Sequence, residues 1–294
     1  MNKITTIIIG LGNIGYLYDY NKSKNFVETH FRSISYNKRF VLKGVVENKL
    51  ININKFKQNN DFPIFNNLKK IKKKIKDAKL FIVSTPEKTH FKIILDILKY
   101  YNPKVIFCEK PFCENYKKSI KILGIAKQKK VKIFVNYLRR IDKNISIIRN
   151  YLKKMDNKID VYFSKNLKTN GSHFIDLFSN IFGKVHNIKI ISKSNLKFVL
   201  YFKKATITFN LTKKNTKKTN YFVIKNKRYT INRTNNFYSI TNNKTKQKIK
   251  LNHNKNLMLK NSSELINIFK YKKSKLATGD EAINTIKLIN EIDA

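Results

Sequence analysis

Cysteine is nearly missing: Cys108 and Cys113 are the only two in 294 residues. No second pair completes a zinc site, no metal centre is expected, and the two read as core or near-core thiols rather than a disulfide. Long hydrophobic runs are missing too. No stretch approaches the roughly 18 apolar residues of a membrane span. No signal peptide precedes the first strand, so a cytoplasmic protein with no membrane partner is the expectation. Acidic residues are scarce, 18 against 63 basic ones, which leaves a net charge of +45. Arginine is scarce as well, at 7 of those 63. Lysine instead spreads over nearly every segment beside abundant asparagine, isoleucine, phenylalanine and tyrosine, the pattern of a genome drifting toward A and T. A nucleic-acid binder would cluster its charge and interleave arginine with aromatics. No nucleic-acid partner is therefore expected, and the charge favours anionic small ligands instead.

What is present argues for a folded chain. Hydrophobic residues make up 41% and aromatic ones 12%, enough for real cores in one large or two ordinary domains. Three of the eight glycines fall in one stretch, Ile7-Ile8-Ile9-Gly10-Leu11-Gly12-Asn13-Ile14-Gly15. The β-branched run reads as a buried strand, and the turn after it is written G-x-G-x-x-G. In a dinucleotide site Gly10 makes the tight turn, Gly12 lets the backbone approach a pyrophosphate, and Gly15 lets the next helix pack on the strand. The phosphates would rest on that helix's N-terminus.

Strand and helix then alternate. The polar stretch Asn21–Asn25 suggests that the helix after the glycine turn is short or broken. A second strand over 39–47 ends on Glu47, where a carboxylate accepts hydrogen bonds from the adenosine ribose hydroxyls and repels a 2′-phosphate. Lys49 nearby leaves NADP open beside NAD. Residues 50–79 read as a short αβ unit. Leu80–Val83 is a buried strand that delivers Ser84-Thr85-Pro86 and His90 at its end, and Val105–Cys108 delivers Glu109-Lys110-Pro111. One more strand runs over 131–137. The alternation implies a parallel sheet with right-handed crossovers. The pattern changes after it, placing the expected domains at 1–137 and 138–294. The second holds a helix near 142–154, a strand at 159–163, a helix over 170–183 closed by Gly183, and short alternating strands to about Leu251. Helices near 262–270 and 280–292 finish the chain. The Asn/Lys-rich patches at 212–220 and 241–255 read as loops. The expected fold is α/β: a Rossmann parallel sheet followed by an α+β domain with an open, mostly antiparallel sheet.

Lys110 stands at the mouth of a buried strand, where a half-desolvated lysine can act as an acid–base group. His173 and Asp176 are three apart on a helix and so share a face. The helix dipole near its N-terminus favours a neutral imidazole there, and Asp176 pushes the other way.

These blocks, together with Asn136-Tyr137-Leu138-Arg139-Arg140 and Gly171-Ser172-His173-Phe174-Ile175-Asp176, resemble in order the signatures of the Gfo/Idh/MocA oxidoreductases. The resemblance spans about residues 5–183. It implies a tightly held nicotinamide cofactor, a sugar, cyclitol or nucleotide-linked sugar as substrate, and a homodimer or homotetramer formed through the open sheet. It assigns Lys110 as the catalytic lysine and His173 as the active-site histidine. Gly10, Gly12, Asn13, Ile14, Glu47, Thr85, Pro86, His90 and Glu109 fall on the cofactor side. Tyr137, Arg139, Asn170 and Asp176 fall on the substrate side. Thr169 stands where the family often has an aspartate. Either His173 is the main proton acceptor, or the chain is a dinucleotide-binding sensor or scaffold without turnover.

Overall fold

The computed structural model describes residues 2–23, 25–152, 155–212, 220–233, 237–252 and 256–294. The chain divides into two compact units, Met1–Ile141 with Asn256–Asn284, and Asp142–Lys255 with Thr285–Ala294. A single cut after residue 137 is thus corrected. Part of the C-terminal third is built into the first unit.

In chain order the first unit opens with β1 (Ile4–Ile9), α1 (His30–Ser35), β2 (Phe40–Val46), α2 (Leu50–Lys57), β3 (Ile64–Phe65) and α3 (Leu68–Lys74). It continues with β4 (Leu80–Val83), α4 (Glu87–Tyr100), β5 (Val105–Cys108), α5 (Tyr116–Gln128) and β6 (Lys132–Val135). The second unit holds α6 (Lys143–Leu152), β7 (Asn157–Phe163), α7 (Ser172–Phe182), β8 (Asn187–Ser192), β9 (Lys197–Phe202) and β10 (Ala205–Leu211). Four more strands follow in it: β11 (Tyr221–Lys225), β12 (Tyr229–Arg233), β13 (Phe237–Asn242) and β14 (Lys248–Asn252). The chain ends with α8 (Leu257–Tyr271), β15 (Ala277–Thr278) and α9 (Gly279–Asp293).

The first unit's sheet runs β15-β6-β5-β4-β1-β2-β3. Every described pair in it is parallel except β15 on β6. Its central strands are apolar from end to end because helices cover both faces: every residue of β4 and β5 is buried. Asparagine and threonine start three of its helices. Thr29, Asn67 and Asn115 each accept the backbone N–H three residues on, which satisfies a donor the helix itself leaves open. Leu265, Ile268 and Leu276 from the C-terminal segment complete the core around Ile8, Ile82 and Phe107.

The second sheet runs β14-β13-β12-β11-β7-β10-β9-β8. Among the described residues only β7 and β10 pair in parallel. Its strands alternate: in β7, Asn157, Ile159, Val161 and Phe163 are buried, while Lys158, Asp160 and Tyr162 are not. The buried face packs under α6 and α7 through Ile145, Ile148, Phe174 and Phe178. Part of the 241–255 patch expected to be a loop is β14, paired with β13 from Thr241 to Lys248 and from Phe237 to Asn252. Lysines alternate with Ile249 and Leu251 along it, which is how a sheet edge is kept from pairing with another chain, and the same lysines hide the strand in sequence. Residues 253–255, and 213–219 of the other patch, lie outside the described residues.

Candidate active site

β1 ends in the glycine turn. Gly10 has φ +95°, and a Cβ there would lie 2.8 Å from the Ser84 carbonyl oxygen, so glycine is required twice over. A Cβ on Gly15 would lie 2.2 Å from the Gly10 carbonyl oxygen. A Cβ on Gly12 would meet nothing within 4 Å. The protein therefore needs Gly10 and Gly15 for its own packing, whereas Gly12 faces open space. The helix after the turn is one π-type turn, Asn13–Leu17, which matches the short or broken element read from the sequence. A five-residue turn sums few peptide dipoles, so an anion here must be held by the N–H groups themselves rather than by a helix macrodipole.

Glu47 follows β2 and is 8% exposed. Its Oε2 accepts the Leu11 N–H (2.8 Å) and the Asn52 side-chain N–H (3.0 Å). Its Oε1 accepts the N–H groups of Asn48 (2.8 Å) and Lys49 (2.9 Å). Burial pushes this carboxyl up, but the four donors outweigh it and hold it below the ordinary glutamate range. Glu47 thus braces the glycine turn from the neighbouring strand, with all four acceptor sites in use. A cavity of about 690 Å³ opens beside it, lined also by Lys57, Asn60, Phe65 and Lys70.

At the end of β4 the Ser84 hydroxyl donates to the carbonyls of Ile9 (3.0 Å) and Gly10 (2.8 Å), tying this strand end to the turn. Thr85 and Pro86 follow, and Pro86 starts α4. His90, expected on the cofactor side, turns inward instead. It is fully buried, with Nδ1 3.0 Å from the Pro111 carbonyl oxygen and Nε2 2.8 Å from that of Thr85. It is a strut between the loops after β4 and β5.

Glu109 is likewise turned inward rather than toward a cofactor. Its Oε1 lies 2.7 Å from His30 Nε2 and accepts the Asn136 side-chain N–H at 2.6 Å. Asn261 on α8 donates in turn to Asn136 Oδ1 at 2.9 Å. Burial pushes the Glu109 carboxyl up; attraction and hydrogen bonding to His30, the Asn136 bond and the Lys110 charge win and hold it low. Lys110 comes next, half-exposed, with its backbone N–H donated to Glu109 Oε2 at 3.3 Å. The Lys110–Pro111 peptide is cis. His30 reaches this segment through Glu109, and His90 reaches it through Pro111. The flanking thiols are buried, Cys108 pushed well above its ordinary value and Cys113 up to about 12, chiefly by burial. Tyr137 is 1% exposed and belongs to the core, a correction to its expected place facing substrate. Arg139 is half-exposed.

In the second unit, the π-type turn Leu167–Gly171 precedes α7 and runs straight into it, with Asn166 capping its start by accepting the Thr169 N–H at 2.7 Å. Helical backbone therefore begins five residues before Ser172. His173 is the second residue of α7, with the π-type turn directly before it. His173 is half-exposed. Asp176, expected on the substrate side, is fully buried. Asn170 is half-buried, its amide donating to the Ser164 carbonyl (3.0 Å) and hydroxyl (3.1 Å).

Residues 4–137 match the profile described as "Oxidoreductase family, NAD-binding Rossmann fold", GFO_IDH_MocA. These residues belong to the Gfo/Idh/MocA oxidoreductase family. No curated protein matches the chain in sequence. Solved structures do match over almost the whole length. UDP-N-acetylglucosamine 3-dehydrogenase GnnA from Acidithiobacillus ferrooxidans is 12% identical, with TM-score 0.77 over 99% of this chain and 97% of that one. The WlbA dehydrogenase of Bordetella pertussis, solved with NADH and UDP-GlcNAcA, is 13% identical, with TM-score 0.76 over 99% and 94%. Biliverdin reductase from Synechocystis sp. PCC 6803, solved with biliverdin and NADP+, is 14% identical, with TM-score 0.77 over 98% of both chains. At these identities the likeness is one of fold.

The residues of this Gfo/Idh/MocA segment fit a nicotinamide dinucleotide. The glycine turn, Glu47, Thr85 and Lys110 stand at the C-terminal ends of β1, β2, β4 and β5, the rim where open α/β sheets take ligands. Gly12 leaves its face clear for a pyrophosphate. Two groups escaped the sequence reading. His30 is one of five histidines and lies 79 residues from Glu109; Asn261 lies 125 residues from Asn136. No spacing links either pair, and only the fold reveals them. Among the described residues no group of three or more His, Cys, Asp or Glu is placed to hold a metal ion, and no helix is long and apolar enough to cross a membrane.

Proposed function

We propose that the chain is an NAD(H)-dependent oxidoreductase that interconverts a CH–OH group and a ketone on a sugar, with nucleotide-linked sugars as the substrate class. The observation that carries this reading is Lys110: a half-exposed lysine at the mouth of β5, its segment fastened through Glu109 on one side and Pro111 on the other. When bound, the nicotinamide takes up or gives the hydride. The protein's part is to bind, orient and move one proton. The N–H groups from Gly12 to Ile14 hold the pyrophosphate. Glu47 receives the adenosine ribose. Three of its four donors are backbone N–H groups, so the Asn52 side chain is the one that can rotate away and yield its place to a ribose hydroxyl. The same negative charge disfavours a 2′-phosphate. The cavity beside Glu47 gives the adenosine end room. Lys110 gives or takes the proton at the reacting oxygen, His173 assists as base or second acid, and Asn170 and Arg139 position the substrate. The named dehydrogenases among the similar folds support a nucleotide-sugar substrate. Self-association through the open face of the second sheet, where the Tyr162 and Tyr221 rings stack at 4.5 Å, completes the proposal.

Titration of NADH and NADPH, followed by cofactor fluorescence, tests cofactor choice. The reading expects saturable NADH binding that is tighter than NADPH binding. A screen of nucleotide sugars with Lys110→Ala alongside tests the chemistry. Turnover unchanged in that variant would remove Lys110 from its role.

A further inference from the structure

One end of the second unit's sheet gathers polar groups from strands that no motif connects. β7 ends there at Phe163, and β11 starts there, with Tyr221 opposite Tyr162. β12 ends there, with Arg233 opposite Phe222, and β13 starts there, with Tyr238 opposite Arg233. The Ser164 hydroxyl accepts from both Asn170 and Asn220, each at 3.1 Å. Arg233 Nη1 donates to the Asn220 carbonyl. A continuous hydrogen-bonded path thus runs from Asn170, three residues before His173, to Arg233. A second path runs through the core. The Phe174 ring meets Phe222 edge-on at 6.2 Å, and Phe222 is the cross-strand partner of Arg233. Arg233 therefore shares the end of the sheet, and the helix-covered face, from which α7 presents His173.

The arginine is held in place. Its Nε donates to the Tyr238 hydroxyl at 3.4 Å, and that hydroxyl donates to the buried Asp142 carboxylate at 2.9 Å. The guanidinium carbon lies 5.8 Å from the centre of the Tyr238 ring. A guanidinium carries five N–H donors in a flat fork suited to a carboxylate or phosphate. Among the described residues two acceptors, the Asn220 carbonyl and the Tyr238 hydroxyl, engage it. Arg233 is half-buried.

We infer that Arg233 recognises an oxyanion of the substrate, a carboxylate or a phosphate, at the Asn170–His173 end of this sheet. The inference rests on the sugar-oxidoreductase reading and narrows its substrate to a charged sugar: a uronic acid or a phosphate-bearing sugar. Calorimetric titration of the NADH-loaded protein with UDP, glucuronate and glucose tests it, in salt high enough to suppress non-specific attraction by the lysine surface. Wild-type protein should bind UDP or glucuronate more tightly than glucose, and which of the two binds identifies the source of the oxyanion. Arg233→Gln should weaken that binding about tenfold or more. Lys158→Gln, an equal loss of charge on the opposite face of the sheet, should change it less than twofold. Arg233→Lys keeps the charge without the fork and should weaken binding at least about threefold; it decides the matter if the glutamine variant does not fold. Equal losses at Arg233 and Lys158, or no loss in folded Arg233 variants, overturn the inference, as does wild-type protein that binds neither anion. NADH binding in the same samples separates the two claims: if NADH binds, only the role of Arg233 falls, and if it does not, the oxidoreductase reading falls first.

Discussion

The two sheets solve the problem of gathering a site in opposite ways. In the first unit every strand from β1 to β6 runs in the same direction, so all C-terminal ends fall on one rim and each delivers its loop there without further instruction. The glycine turn, Glu47, Thr85 and Lys110 arrive at that rim by topology. In the second unit the strands mostly alternate in direction, so one end collects the close of β7 and β12 with the start of β11 and β13. Side-chain hydrogen bonds through Ser164, Asn220 and Tyr238 must then do what direction does in the first sheet. A parallel sheet announces its site in local motifs, whereas an antiparallel one spreads it over segments that share no spacing.

The comparison is broken most sharply at Lys110. Lys110→Ala should lower turnover by about 10²- to 10⁴-fold, the range of a lost acid–base group, with NADH affinity within a few-fold of wild type. Steady-state rates and cofactor titration read the two effects separately. The glycine turn offers a contrast within the first unit. Gly15→Ala forces a Cβ against the Gly10 carbonyl at 2.2 Å and should destabilise this unit by about 1–3 kcal/mol. Gly12→Ala touches no protein atom within 4 Å. It should leave the melting temperature almost unchanged while weakening NADH binding. Equal melting temperatures for the two variants would contradict the division of labour among the glycines.

Removing His30 tests the buried support of Lys110. His30→Leu strips one partner from the buried Glu109 carboxylate and should cost about 3 kcal/mol in denaturant unfolding. Acid should act on the same unit. Glu47, Glu109 and Glu281 are all held below the ordinary glutamate value of 4.5. For Glu281, burial is outweighed by the Arg140 charge and the Thr278 hydrogen bonds. A carboxyl whose folded value is depressed binds its proton more readily in the unfolded chain. Its stabilisation is therefore complete above about pH 4.5 and lost as pH falls through the lower folded values. Hydrogen exchange across that range should show first-unit amides losing protection. The smallest effect belongs to the second unit. Tyr238→Phe removes the hydroxyl's bonds to both Asp142 and Arg233 and should cost about 1–2 kcal/mol.

The same difference sets what could be read in advance. β4 and β5 are continuous apolar runs and declare themselves, and Gly10, Glu47 and Lys110 follow from their positions at strand ends. β15 escapes because two residues, Ala277 and Thr278, carry no period, and β14 because lysines alternate with Ile249 and Leu251 along a mostly exposed strand. Residue type alone also misleads about direction. Glu109, His90, Tyr137 and Asp176 have the chemistry of site residues, yet all four are buried, and Glu109 and His90 serve as struts. Glu109's partner His30, and Asn261 behind its other partner Asn136, come from remote segments, so the inward turn is visible only once the sheet is folded.

Fluorescence titration of NADH into wild-type protein and Gly12→Ala, in high salt, tests the central claim most directly. Tight saturable binding by wild type that survives salt, weakened in a variant of unchanged thermal stability, is the predicted result. Absence of NADH and NADPH binding in folded wild-type protein free of retained cofactor, or a Gly12→Ala variant that binds NADH as tightly as wild type, would contradict it.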